Sequence, residues 1–311
     1  MLGLLRRKKP AAKVEKRADL KLTYEERHGF ASIQRWPSKE KVGRQDLVVE
    51  NFLHGIAPSE PFIRRTDGIT AFGSCFAGHV SAHLHGLGYR VNAHNWQHSS
   101  SDLVRMNELM VHTPALRAQF EWAFLGKPLP EVIIEGRKTE TYAYGDTEAV
   151  RKMIQSCSVY IVTLGLSEAW FDNEQGVYLW KFIPRKSLDA ARFENKVITY
   201  RENVENIRAI IDIVREKSPS ADIIFTLSPI PLLGTFRGMS TTVANSASKA
   251  SLRAALDEVL RSARDERVHY FPSYELINNY IQDPFEDDNR HVTKEAVSQI
   301  MGIFEKNYCV G

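Results

Sequence analysis

Cysteine is scarce in this chain. Three residues, Cys75, Cys157 and Cys309, are spread over 311 positions, without the density of a disulfide framework or the spacing of a metal cluster. That excludes a disulfide-stapled secreted fold and predicts a reducing, cytoplasmic setting. No apolar run reaches membrane-spanning length. Met1 to Leu5 is apolar but too short for a leader peptide, and charges follow it rather than precede it, so no secretory leader is expected. An excess of one charge is also missing: 41 Lys and Arg face 38 Asp and Glu, a net charge of +3. That balance gives no general case for nucleic acid. Internal repeats are absent.

What imbalance there is collects at the front, in Arg6, Arg7, Lys8, Lys9, Lys13, Lys16 and Arg17. Residues 1–44 read as a basic arm and an irregular lead-in, the arm suited at most to weak contact with an acidic membrane surface. Residues 45–311 read as one α/β domain. Apolar, β-branched runs at Ile69 to Phe72, Ser158 to Leu164, Ile223 to Leu227 and Val268 to Pro272 predict strands buried on both faces. Tyr89 to Val91 predicts a short strand and Val177 to Trp180 a small hairpin arm. Amphipathic patterns between them predict helices, among them Tyr200 to Lys217, one beginning at Asn245-Ser246, and a closing helix from Val292. Alternating strands and helices imply a parallel sheet covered on both faces. In such sheets sites gather at the carboxyl ends of the strands. Ser74, Asn92, Gly165 to Glu168, Ser228 and Tyr274 all fall there.

Two stretches carry chemistry. In Phe72-Gly73-Ser74-Cys75-Phe76 a serine stands between strand and helix, where a tight turn can expose its hydroxyl beside the helix's first N–H groups. In Asp288-Asn289-Arg290-His291 a carboxylate and an imidazole lie three residues apart before the last helix. There the aspartate can fix the tautomer of a histidine that takes the serine's proton. Either stretch alone has a plainer reading, as packing at a turn or as a capped surface loop. Cys75 reads as packing rather than as a rival nucleophile. His79 and His83 share a helix face but lack an acidic neighbour and a third ligand, so no metal is expected.

The order of these features resembles the SGNH, or GDSL-like, hydrolases. Within that group, Gly73-Ser74-Cys75-Phe76-Ala77, Thr163-Leu164-Gly165-Leu166-Ser167-Glu168-Ala169-Trp170, Leu227-Ser228-Pro229-Ile230-Pro231, Ala244-Asn245-Ser246-Ala247-Ser248-Lys249 and Tyr270-Phe271-Pro272-Ser273-Tyr274-Glu275 look like the GSCFA-domain family. The resemblance implies a three-layer α/β/α flavodoxin-like sandwich with a mostly parallel sheet. It implies Ser74 as nucleophile with Asp288 and His291 as its partners. Gly165 to Glu168 takes the place of the superfamily's Gly-x-Asn-Asp block, with Ser167 where the oxyanion asparagine would stand, so Gly165 with Ser167 or Asn92 is expected to complete the oxyanion hole. Trp170, Tyr274 and Asn245 are the candidate substrate contacts. The implied activity is that of an esterase or O-acyltransferase on an O-acylated carbohydrate or cell-surface polysaccharide. No cofactor is expected, beyond acetyl-CoA as co-substrate of a transferase, with Arg64, Arg65, Arg185 and Arg237 as candidate phosphate contacts. The alternative is a non-catalytic glycan- or ligand-binding module that keeps the fold.

Overall fold

The computed structural model describes residues 34–92, 111–130, 132–134, 137–139, 147–180, 183 and 185–311. The expected basic arm, Asn95 as an alternative oxyanion donor, Trp96 as a further candidate to stack on a sugar, and nearly all of a helix expected from Ser101 to His112 lie outside the described residues. In chain order the first half contains β1 (Ile69–Gly73), α1 (Cys75–Gly86), α2 (Thr113–Leu125), β2 (Val132–Ile134), β3 (Arg137–Thr139) and α3 (Thr147–Gln155). The second half contains β4 (Val159–Leu164), β5 (Glu168–Asp172), β6 (Val177–Leu179), β7 (Phe193–Val197), α4 (Tyr200–Lys217), β8 (Asp222–Leu227), α5 (Thr241–Ala263), β9 (Val268–Phe271), α6 (Ser273–Asn279) and α7 (Lys294–Tyr308).

The four apolar runs pair as a parallel sheet in the order β1-β4-β8-β9. Their side chains alternate between two cores, which is why every residue of β1 and β4 is buried. Phe72, Tyr160, Val162 and Phe225 point to one face, where they pack with α2, α3, α4 and α5 through residues such as Phe120, Ile154, Ile207 and Leu252. Ile69, Ala71, Ile161 and Phe271 point to the other, against α1, α6 and α7 through Val80, Leu84, Ile277 and Phe304. Each such fully buried side chain contributes about 1.5–3 kcal/mol relative to exposure. The result is an α/β protein with helices on both sides of a parallel sheet. Among the described residues, no helix is long and apolar enough to cross a membrane.

Several expectations shift. Tyr89 to Val91 makes only a single bridge, Ile69 to Val91, rather than a full strand. The hairpin arm is the edge of a three-stranded antiparallel sheet, β6-β5-β7. It covers a third apolar cluster around Trp170, Leu179, Trp180 and Phe193. Its strand β7 is mostly polar, Phe-Glu-Asn-Lys-Val, so no apolar run announces it. The long helix α5 starts at Thr241 rather than at Asn245, and α7 starts two residues after Val292, at Lys294, capped by Thr293.

The end of β1 is fixed by a close approach. Gly73 has φ of +116°, and a Cβ built there would lie 2.0 Å from the Thr163 carbonyl oxygen of β4. Only glycine brings the two backbones this close. Gly73→Ala should cost roughly 3 kcal/mol or more. Gly302→Ala, inside α7 with nothing within 4 Å of its Cβ, should gain about 0.5–1 kcal/mol from helix propensity. Urea unfolding of the two variants reads this difference, and equal effects would refute the steric account.

Candidate active site

A cleft of about 570 Å³ opens at the carboxyl ends of β1, β4 and β8, with Ser74, Gly165 and Ser228 in its lining. Ser74 is the N-cap of α1, with extended backbone and its Oγ accepting from the Phe76 N–H at 3.3 Å. That places the hydroxyl at the positive end of the helix dipole. The Ser74 hydroxyl donates to Ser228 Oγ at 3.0 Å, and Ser228 Oγ also accepts from the Ile230 N–H. Both serines are buried to better than nine-tenths.

Beneath them lies Lys249 of α5, 2% exposed. Its Nζ donates to the Gly165 carbonyl at 2.6 Å and to the Ser228 carbonyl at 2.8 Å. A buried amine is tolerated only when its donors are met, and the carbonyls where β4 and β8 end meet two of them. Gly165 is held from the other side as well. Its N–H donates to the Val111 carbonyl at 2.8 Å, and a Cβ there would lie 2.7 Å from Val111 Cβ.

The Asp288 and His291 pair forms as the spacing predicts. Asn289, at φ +54°, turns the chain in the left-handed region that asparagine tolerates. The turn closes through Glu286 N–H to the His291 carbonyl at 2.7 Å. Asp288 Oδ1 accepts the backbone N–H groups of Arg290 and His291, at 3.0 and 2.9 Å. Its Oδ2 accepts from His291 Nδ1 at 2.5 Å. These bonds, the His291 backbone N–H first, hold the Asp288 carboxyl down at about 2. The imidazole Nε2 then accepts from Arg290 Nη1 at 3.1 Å, while Arg290 Nε donates to the Pro231 carbonyl. Nδ1 carries the proton and Nε2 the lone pair, the tautomer a general base needs. Arg290 lines the same cleft as Ser74. His79, one turn into α1, titrates below the usual histidine value, mainly by desolvation and then by the charge of His291. His291 is thus near enough for its charge to lower the value of His79, on the helix that Ser74 caps. No hydrogen bond joins it to Ser74: Ser228 holds the hydroxyl and Arg290 holds the imidazole.

The other expected residues divide. Ser167 is fully buried and does not face the cleft: its N–H donates to Ser248 Oγ at 2.7 Å and its hydroxyl to the Ser248 carbonyl. It braces β5 against α5 instead of offering the oxyanion donor expected of it. Asn92 is level with the first residue of β1, its N–H bonded to the Ile69 carbonyl and its Nδ2 to Cys157 Sγ at 3.3 Å. It lies at the amino end of the sheet, away from Ser74. Trp170 lines the cleft, but Tyr274 does not; it packs against the sheet's core. Asn245 caps no helix. Its Oδ1 accepts from the Leu232 N–H at 3.1 Å, tying down the loop that roofs the cleft. The side chain of Cys75 lies outside what the structure describes. Among the described residues, no group of three His, Cys, Asp or Glu side chains is arranged to hold a metal ion.

Three contributors escaped sequence reasoning, Lys249, Arg290 and His112, and Ser228 was placed at its strand end without a role. Ser228 and Lys249 stand inside quoted motifs, Arg290 stands between the two pair members, and His112 precedes a Thr-Pro helix start. The GSCFA family model matches residues 68–304. The chain belongs to the GSCFA family. No curated protein matches it. Every strand and every residue of the GSCFA cleft named above falls within the matched span.

His112 shows how firmly the wall of this GSCFA cleft is built. Its Nδ1 accepts from the Ala115 N–H, capping α2, so Nε2 carries the proton and donates to the Leu179 carbonyl at 3.0 Å. Complete burial pushes its value down to about 4 from 6.5. Protonation then favours the unfolded chain, so stability should fall as pH drops from about 6.5 to about 4, by roughly 3 kcal/mol. Denaturant titrations at several pH values should show this slope reduced in His112→Asn, which keeps a capping side chain. Parallel pH slopes in the two proteins would contradict it.

Proposed function

We propose that this chain is a serine-dependent acyl hydrolase or O-acyltransferase acting on an O-acylated carbohydrate or cell-surface polysaccharide. The reading places it among the SGNH-type hydrolases on a flavodoxin-like sandwich and expects a cytoplasmic setting. One observation carries it: a histidine tautomer fixed by Asp288, with its Nε2 one guanidinium away from a cleft floored by a helix-capping serine. In the proposed reaction Ser74 Oγ attacks the ester carbonyl and His291 Nε2 takes its proton. His291 then returns that proton to the leaving alcohol. Water, or a sugar hydroxyl in a transferase, attacks the acyl-serine in the second half and frees Ser74. A transferase would take its acyl group from a donor such as acetyl-CoA. The oxyanion falls to the first N–H groups of α1 and to the Ser228 hydroxyl, which take over the role expected of Ser167 and Asn92. Arg290 must release Nε2 for the base to act.

A second reading, a glycan-binding module without turnover, is favoured by the same bonds. Ser74, the Gly165 N–H and His291 Nε2 are all engaged elsewhere. Hydrolysis of p-nitrophenyl acetate separates the two. Ser74→Ala and His291→Ala should each lower kcat/KM by roughly 10³-fold or more, and Asp288→Asn by roughly 10²–10⁴-fold. Because Asp288 stays ionised down to about pH 2, the acid limb of the wild-type profile should show one ionisation, not two. Turnover that survives in Ser74→Ala removes the serine mechanism. Folded wild type with no turnover but glycan binding leaves the second reading.

A further inference from the structure

The cleft holds a buried charge that the ester chemistry does not use. Glu168 opens β5 and lines the cleft, its side chain 6% exposed. Its Oε2 accepts from Thr235 Oγ1 at 2.8 Å. Its Oε1 is closed off from water and accepts no hydrogen bond from any described residue. Arg237 Nη1 stands 3.8 Å from it, too far to be a donor. A buried carboxylate oxygen left in this state costs about 1–3 kcal/mol or more. Native proteins retain such a group chiefly where something else completes it.

The surroundings say what. Trp170 and Phe236 meet edge to face, 4.9 Å between ring centroids, in the same cleft lining. The loop beside the carboxylate carries Thr235, which bonds Oε2, with Phe236 and Arg237. Its outer side is unusually apolar, with Leu233 84% and Phe236 57% exposed. A ligand can reach Oε1 only if that loop is displaced. A cationic ligand is disfavoured, because Arg237 already offsets the carboxylate and Arg290 lines the cleft as well. A neutral hydroxyl beside an apolar aromatic wall fits, and a sugar ring presents both.

We propose that Glu168 Oε1 accepts a hydrogen bond from one ring hydroxyl of a neutral sugar, with Trp170 and Phe236 forming the wall that its apolar face meets. This rests on the carbohydrate-ester reading above and adds the residue that selects the sugar half. Glu168→Gln keeps the shape and an acceptor for Thr235 but replaces the free acceptor with a donor. On a mono-O-acetylated methyl glycoside the variant should lose roughly 10–100-fold in kcat/KM. The readout is the ratio of the two kcat/KM values: the glycoside ester should lose roughly 10–100-fold more than p-nitrophenyl acetate, which has no ring hydroxyl. Equal losses on both esters, or no loss on either, overturn the assignment.

Calorimetry with a series of monodeoxy methyl glycosides, on wild type and on Glu168→Gln, reads the same contact without turnover, and the loss at one deoxy position should be seen in wild type only. One deoxy position should weaken binding by roughly tenfold or more, and a flat series overturns it. Should neither ester be turned over, the esterase reading fails and this series still decides the Glu168 contact.

Discussion

One buried amine ties the cleft together. Lys249 reaches from α5 beneath the sheet and joins the carbonyls at which β4 and β8 end. Through the second of these it sets Ser228, and Ser228 sets the direction of the Ser74 hydroxyl. The amine is held there because two strand ends offer carbonyls, and because α5 brings the side chain to where the sheet stops being paired. Replacing it by an apolar group would orphan two buried acceptors at once. The serine's orientation is thus a property of three strand ends and one helix rather than of its own turn.

The same logic explains the resting bonds. Ser74 gives its hydrogen to Ser228, and His291 receives one from Arg290. In the proposed reaction each of these atoms is held by a neighbour that a substrate would have to displace. A serine's hydrogen bond to its base is often long or absent until substrate draws the groups together. Arg290 is well placed for that exchange, because its Nε stays anchored on the Pro231 carbonyl of the roof loop while Nη1 lets go. Movement of the roof would then be felt at the base.

Local features of the fold and site were legible in the sequence, and tertiary ones were not. The central strands were readable because burial on both faces leaves unbroken apolar runs. The Asp288 and His291 pair was readable because three residues of turn decide it. β7 was hidden because one face of it is solvated and its apolar content is small. Ser167 was misassigned by its place in a motif. A residue beside a strand end can face the cleft or the packing helix, and Ser248 on α5 settles that through space. Asn92 failed for a related reason: the short segment carrying it pairs with the start of β1, not with its end. Ser228 and Lys249 acquire their roles only when β4, β8 and α5 meet, over sequence gaps that no spacing rule spans.

The central claim is that the hydroxyl of Ser74 is a nucleophile served by His291. Reaction with a fluorophosphonate, followed by peptide mass mapping, tests it most directly. The account predicts one adduct, on Ser74, formed far more slowly in His291→Ala. An adduct on Ser228, or none in a protein shown to be folded, would contradict it.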